Sequence, residues 1–266
     1  MEVFVLASGS SGNAVLVRSG ETLLLLDAGV SALQIRRRME AFGQRVERLN
    51  GILLTHEHSD HVRGLEVLLK RRPTPVWATH GTWAGITVRT AGGGELTSGV
   101  TRTIGGIRVT PVATSHDARE PVALILDDGD HSAALCTDTG VFTTLLEQRI
   151  VGCELLLMET NHDLDLLRHG PYPWPLKQRI SSRVGHLSND QSQEAVERVA
   201  SKRLRAVVGM HLSAENNTIG LVRETLSACV GDGVAVEAVP RGHMLRICLN
   251  DGDLDLEPRE VPPTRR

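Results

Sequence analysis

Between residues 56 and 61 the chain carries three imidazoles and a carboxylate: His56, His58, Asp60 and His61. Imidazole nitrogen and carboxylate oxygen are donors that Zn, Mn and Fe accept, so the chemistry on offer is metal binding. The apolar run Gly-Ile-Leu-Leu at 51–54 precedes this stretch and reads as a short buried strand. If the extended backbone continues, His56 and His58 project to the same side, because strand side chains alternate. Ser59 or Asp60 then caps a helix over 62–69, which returns Asp60 and His61 toward the same spot. Four donors at this spacing, at a strand end, favour a metal site over an accidental cluster of surface histidines.

Further donors fall in the same kind of place. His116 follows the apolar run 109–113, Asp138 follows 134–136, Asn161-His162 follows 155–158 and His211 follows 207–210. Strand ends can converge along one edge of a sheet sandwich, with a rigid core holding the donors while loops vary around them. Strand-like segments are predicted at 3–7, 14–18, 22–27, 75–78, 107–113, 122–127, 133–136, 155–158, 206–210 and 234–239. Helices are predicted at 31–42, 82–90, 143–150, 190–201 and 218–229. The fold class is α/β (α+β), with residues 1–250 as one catalytic domain and the Asp-, Pro- and Arg-rich stretch 251–266 as a loose tail.

Composition narrows the class. The 266 residues are 41% hydrophobic, enough for a core, and no apolar run approaches the ~20 residues of a membrane span. The opening Met-Glu-Val-Phe-Val-Leu lacks the basic segment of an export signal, so a cytoplasmic protein is expected. Cys136, Cys153, Cys229 and Cys248 are scattered and read as reduced core residues, not as a disulfide framework or a thiolate metal site. A net charge of -3 gives no overall support for nucleic-acid binding, which would need a local patch. The basic groups at 36–38, 70–72, 177–179 and 202–205 are solvated helix faces on the plain reading, although some can line a phosphate track. Aromatic residues are only 3% of the chain, which speaks against extensive base stacking; Tyr172 and Trp174 are the one candidate pair. The loop 8–13, Ser-Gly-Ser-Ser-Gly-Asn, is either a hairpin turn or a backbone nest facing an anion.

The motif His56-x-His58-x-Asp60-His61, followed by His116, Asp138 and His211, resembles the full ligand set of the metallo-β-lactamase superfamily. The finer texture resembles the nuclease-like YycJ/WalJ group, related to tRNA-processing and β-CASP ribonucleases. It lies in LASGSSGN at 6–13, ETNHD at 159–163, GPYPW at 170–174, GHLSN at 185–189 and HLSAENN at 211–217. The likeness runs from the opening loop to about residue 249. It implies a four-layer αββα sandwich, with no room for the β-CASP insert. It also implies that His56, His58 and His116 hold one divalent ion, that Asp60, His61 and His211 hold a second, and that Asp138 bridges them. Asp138 stands where several true β-lactamases carry a cysteine, which points away from antibiotics and toward phosphodiesters. A ligand set without sulfur admits Zn or Mn.

The resemblance implies a metal-dependent phosphodiesterase acting on a nucleic-acid strand, DNA favoured, as an exo- or endonuclease. Attack would come from a metal-bridging hydroxide that Asp60 orients. His186, in the Gly-His-Leu-Ser element, would contact the scissile phosphate or protonate the leaving group; capping or a surface role is the plain alternative. Ser10, Asn13, His162, Lys177 and Arg179 are candidate substrate contacts. His162 is equally readable as a partner of a metal ligand or as a structural histidine. A dinuclear hydrolase of a small ester, thioester or cyclic nucleotide is the alternative function, and a non-catalytic metal-binding regulator a third.

Overall fold

The strand β1 (Glu2–Ala7) shows how the layers are built. Val3 and Val5 enter the core between two sheets, while Phe4 and Leu6 enter a second core on the opposite face. Side chains alternate across a strand, so a continuous apolar run needs cover on both sides. The computed structural model describes residues 1–88 and 90–262, and its two sheets supply that cover.

The first sheet runs, in spatial order, β15 (Leu254–Glu260), β14 (His243–Leu249), β1, β2 (Ala14–Ser19), β3 (Thr22–Leu26), β4 (Gly51–Leu53), β5 (Val76–Thr79), β6 (Gly93–Leu96). The second runs β13 (Ala235–Ala238), β12 (Ala206–Met210), β11 (Leu155–Glu159), β10 (Ser132–Cys136), β9 (Val122–Asp127), β8 (Ile107–Ala113), β7 (Arg102–Ile104). On the outer face of the first sheet lie α1 (Ala32–Ala41), the single turn α2 (Ser59–Val62), α3 (Leu65–Arg71) and α4 (His80–Gly85). Ile35, Met39, Leu65, Leu68 and Leu69 from this layer pack on Phe4, Leu16, Leu25 and Ile52. On the other outer face, α5 (Thr144–Ile150), α8 (Asn189–Val199) and α9 (Ile219–Ser227) place Leu146, Val196 and Val222 on Ala134, Leu156 and Val207. The short helices α6 (Leu164–His169) and α7 (Trp174–Ile180) lie in the crossover from β11 to β12. The result is the four-layer αββα sandwich.

Direction matters more than order for the site. Strands β3, β4, β5 and β6 are parallel, as are β10, β11, β12 and β13. Parallel strands end on the same edge of a sheet. Strand β8 is antiparallel to β9, which is antiparallel to β10, so β8 also ends on the edge where β10 ends. By the same logic β1 ends beside β3. The loops after β1, β3, β4, β8, β10, β11 and β12 therefore gather together.

Three expectations need correction. The helix predicted over 62–69 is split into α2 and α3 around Gly64, and α2 is preceded by His58 at its cap position, without a side-chain cap from Ser59 or Asp60. Gly64 donates to the Ala28 carbonyl at 2.7 Å, and a Cβ there would lie 2.1 Å from the Val30 oxygen, so the backbone needs glycine at this close approach. The helix predicted over 82–90 ends at Gly85, and residue 89 lies outside the described residues. The stretch 251–266 is not a loose tail throughout: β15 pairs with β14 in seven-residue antiparallel register from His243↔Glu260 to Leu249↔Leu254. Backbone pairing, together with Leu254 and Leu256 packed against the central core, orders a segment whose side chains look polar. Residues 263–266 lie outside the described residues.

Candidate metal centre

Every candidate ligand lies just beyond a strand or in the helical turn that follows one. His56 and His58 follow β4, Asp60 and His61 occupy the turn α2, His116 follows β8, Asp138 follows β10 and His211 follows β12. Backbone hydrogen bonds fasten the central segment: Asn13 N donates to Asp60 O at 2.8 Å, and Ala28 N donates to His61 O at 2.7 Å. Asp138 and His211 adopt left-handed backbone, with φ of 58° each, and Asp27 does likewise at 59°. Such conformations cost non-glycine residues roughly 1–3 kcal/mol and persist where the surroundings over-determine them.

The structure brings all seven predicted ligands together. Donor atoms of His56, His58 and His116 form one group, those of Asp60, His61 and His211 a second, and Asp138 joins groups with His56 and His61 and with His211. One Asp138 carboxylate reaches His61 Nε2 at 3.3 Å, His211 Nε2 at 3.6 Å, His116 Nε2 at 3.8 Å and His186 Nδ1 at 3.8 Å. Asp60 Oδ2 lies 3.6 Å from His61 Nε2 and 3.7 Å from His211 Nε2.

The imidazoles are held from behind. His61 Nδ1 donates to Asp27 Oδ2 at 2.8 Å, and His116 Nδ1 donates to the Gly185 carbonyl at 3.1 Å. Thr55 Oγ1 donates to Asp27 Oδ2 at 2.8 Å, so it accepts from His56 Nδ1 at 3.0 Å. His211 Nδ1 donates to Glu159 Oε1 at 3.2 Å. In each ring Nδ1 is engaged outward and Nε2 faces the cluster, so a metal ion there would take the Nε2 lone pair in place of the proton that the carboxylates otherwise favour on His61 and His211. His56 Nε2, His211 Nε2 and Asp138 Oδ2 are buried with no hydrogen-bond partner among the described residues. Orphaned buried polar atoms are costly, and divalent cations bound at the two donor groups would satisfy all three. The sequence-level donor chemistry and this geometry fit a divalent metal.

Electrostatics point the same way. Burial disfavours the charged form of His211, yet Asp138, Asp60 and Glu159 push its pKa up to about 10. Burial likewise opposes protonation of His61, but Asp138 and Asp27 hold it well above the ordinary histidine range. These carboxylates create a strong field for positive charge. His56 is held well below the ordinary value by burial and by neighbouring His61.

The cluster floors a pocket of about 300 Å³. His58, Asp60, His116, Asp138 and His211 line it from below, and His186, Tyr172, Leu176 and Arg179 complete its lining. Ser10 also lines the pocket. His186 Nδ1 donates to Glu159 Oε1 at 2.7 Å, which leaves Nε2 for the pocket.

Three other predicted contacts do not stand where the sequence put them. Lys177 does not line the pocket: its ammonium donates to the carbonyls of Arg168 at 2.7 Å and Gly170 at 2.8 Å. Asn13 is buried; its Oδ1 accepts from Gly9 N at 2.9 Å, and its Nδ2 sits 3.0 Å from His61 Nε2, so it braces the loop against the cluster. His162 is 1% exposed and burial lowers its pKa to about 4, which makes it a neutral interior residue behind the pocket. Arg179 does line the pocket, paired with Asp117 at 2.7 Å.

Glu159, Asp27, Thr55 and Asp117 were missed. Glu159 is wholly buried, accepts from both His186 and His211, and takes the Thr139 amide at 3.0 Å on its other oxygen. Burial raises its pKa, but His186 and His211 outweigh this and hold it at about 2. Its signal in the sequence was a carboxylate closing the apolar run Leu-Leu-Leu-Met-Glu; Asp27 closes Leu-Leu-Leu-Leu in the same way.

The family described as Beta-lactamase superfamily domain matches residues 22–212, the span from β3 to the loop after His211. The chain belongs to the metallo-β-lactamase superfamily. Among members of this superfamily, Exodeoxyribonuclease YycJ of Bacillus anthracis is 36% identical over 228 residues, covering 84% of this chain and 86% of that protein. Exodeoxyribonuclease WalJ of Streptococcus pneumoniae is 36% identical over 229 residues, covering 84% and 85%. The crystal structure of the metallo-β-lactamase fold protein YhfI from Bacillus subtilis superposes with a TM-score of 0.72 at 19% identity, over 92% of this chain and 98% of that one. No helix among the described residues is long and apolar enough to cross a membrane.

Proposed function

We propose that the protein is a metal-dependent nuclease that hydrolyses phosphodiester bonds, with a DNA strand as substrate. The observation that carries this is the sulfur-free donor set around Asp138, facing an open pocket that also holds His186 and Arg179. The kinship with proteins named exodeoxyribonucleases supports DNA and an exonuclease mode. His56, His58 and His116 would hold one ion, Asp60, His61 and His211 a second, and Asp138 would touch both; Zn or Mn suits these oxygen and nitrogen donors. Such ions supply Lewis-acid charge and lower the pKa of water at the cluster.

The chain's own groups then divide the work. Asp60, on the pocket floor, accepts a hydrogen bond from the attacking water and orients it. His186 Nε2 would face the phosphate; with Nδ1 held by Glu159, it would stabilise the anionic phosphate or give a proton to the leaving oxygen. Arg179 adds positive charge at the wall, tempered by Asp117. Ser10, also in the pocket lining, would offer a hydroxyl. End-labelled single- and double-stranded DNA and RNA, incubated with Mn, Mg or Zn, test the reading. Stepwise shortening of DNA is the expected result. Hydrolysis of small esters or cyclic nucleotides with no attack on any strand would overturn it.

A further inference from the structure

A second polar pocket, of about 250 Å³, lies on the other side of the loop 8–13 from the metal centre. Ser8, Ser11 and Gly12 line it, whereas Ser10 lines the catalytic pocket, so one loop has a face in each. Three arginines line it: Arg38 from α1, Arg63 from the link between α2 and α3, and Arg241 from the turn before β14. No carboxylate is among the lining residues, and none of the three arginines forms an ion pair among the described residues.

Arg38 is the decisive member. It is only 8% exposed. Its Nη1 donates to the Leu6 carbonyl at 2.8 Å, while its buried Nε has no partner among the described residues. Burial alone lowers its pKa, as expected for a cation without a counter-charge. A buried guanidinium without an anion is costly, and fixed forks of N–H donors match phosphate and carboxylate oxygens. Three cationic side chains favour a doubly charged tetrahedral anion over a single carboxylate. Ser8 Oγ accepts from His211 N at 2.7 Å, which leaves its own O–H to donate.

We propose that this pocket binds a phosphate group. The phosphate belongs either to a nucleic-acid strand engaged at the metal centre or to free phosphate. The first source rests on the nuclease reading; the second does not. Occupancy would brace the loop that also holds His211 through Ser8 and His61 through Asn13.

The test compares the metal-loaded protein with its Arg63→Ala/Arg241→Ala variant. Both side chains are exposed, so the variant should keep the fold even if Arg38→Ala does not; the one bond it loses among the described residues is Arg63 Nη1 to the Ser11 carbonyl at 3.0 Å. Titration calorimetry with inorganic phosphate at constant ionic strength should show about one equivalent per chain fewer in the variant. Binding at the metal centre is common to both proteins and cancels. In a second arm, anisotropy of a labelled, 5′-phosphorylated DNA strand is followed against salt. A strand source predicts at least a ~10-fold weaker affinity and a salt slope lowered by about two, one for each lost arginine. A free-phosphate source predicts the lost equivalent with unchanged strand affinity. Equal phosphate stoichiometry together with equal strand affinity overturns the proposal. If no strand binds either protein, the nuclease reading fails while the phosphate arm still decides this one.

Discussion

Replacing Glu159 by glutamine changes one atom and no volume, yet the structure predicts a large effect. Oε1 accepts from His186 Nδ1 at 2.7 Å and His211 Nδ1 at 3.2 Å; Oε2 accepts from the amides of Thr139 at 3.0 Å and Leu187 at 3.3 Å. All four partners are donors. A glutamine must turn its own NH₂ either toward the two imidazoles or toward the two amides, and both choices set donor against donor. Facing the imidazoles, the NH₂ drives the His211 proton from Nδ1 to Nε2 and removes the lone pair that faces the cluster. Hydrogen bonds to charged groups contribute ~1.5–3 kcal/mol each, so Glu159→Gln should cost about 3 kcal/mol of stability. Residues that orient a metal ligand typically account for ~10–100-fold in metal affinity or activity. Glu159→Gln should therefore weaken metal binding by that range and lower kcat alongside. Competition with a chelating dye on protein shown folded by circular dichroism measures the first, and turnover at saturating metal the second. Wild-type metal affinity with unchanged kcat would refute the reasoning, because it would mean that the histidine tautomers do not depend on Glu159.

Other outcomes follow from the same geometry. His186→Ala should lower kcat by ~10²–10⁴ with metal stoichiometry unchanged, since its Nδ1 is engaged by Glu159 and its Nε2 serves the pocket; loss of an ion in elemental analysis would make it a ligand instead. Arg179→Ala should lower the salt slope of strand binding by about one, whereas Lys177→Ala should leave it unchanged because that ammonium is occupied by two carbonyls; equal effects would show that Lys177 swings into the groove. His162, with its pKa lowered from 6.5 to about 4, stays neutral in the folded protein while the unfolded chain takes up a proton below 6.5. Stability should thus fall as pH drops through that window, by about 3 kcal/mol more in the wild type than in His162→Gln; parallel denaturation curves at pH 6.5 and 4 would contradict this.

The gathering of the seven predicted ligand residues was legible because its signal is doubled. Each is a chemically distinctive residue, and each follows an apolar run that fixes where the chain stops being buried. The layer order was legible for the same reason: runs such as Val3–Phe4–Val5–Leu6 are apolar on both faces, and only a sandwich with helices outside covers both. Lys177 and Arg179 were not separable by sequence. They lie two residues apart on α7, a helix with no buried residue, so hydrophobic periodicity says nothing about which side meets the pocket. For His162 the structural alternative fits, and the substrate contact does not. Asn161 and His162 are adjacent at one strand end, and a single step of backbone decides which lines the pocket; Asn161 does, and His162 turns inward.

The residues that support the ligands were hidden by their very position. Asp27 and Glu159 each close an apolar strand, where a carboxylate ordinarily marks the return to solvent. Here both are buried, at 1% and 0% exposure. A carboxylate can be buried only if positive charge or donors meet it. Asp27 finds His61 and Thr55, and Glu159 finds His186 and His211. Those partners arrive from the loop after β4, from α2, from the turn before α8 and from the end of β12, up to 52 residues away along the chain. No local pattern can encode a pairing of that range. What brings it about is strand direction: parallel strands deliver their C-terminal ends to one edge, and donors and acceptors that follow those ends must meet there. The left-handed turns at Asp27, Asp138 and His211 finish the task, because each bends the chain sharply as it leaves its strand, at the residue whose side chain enters the cluster or its support.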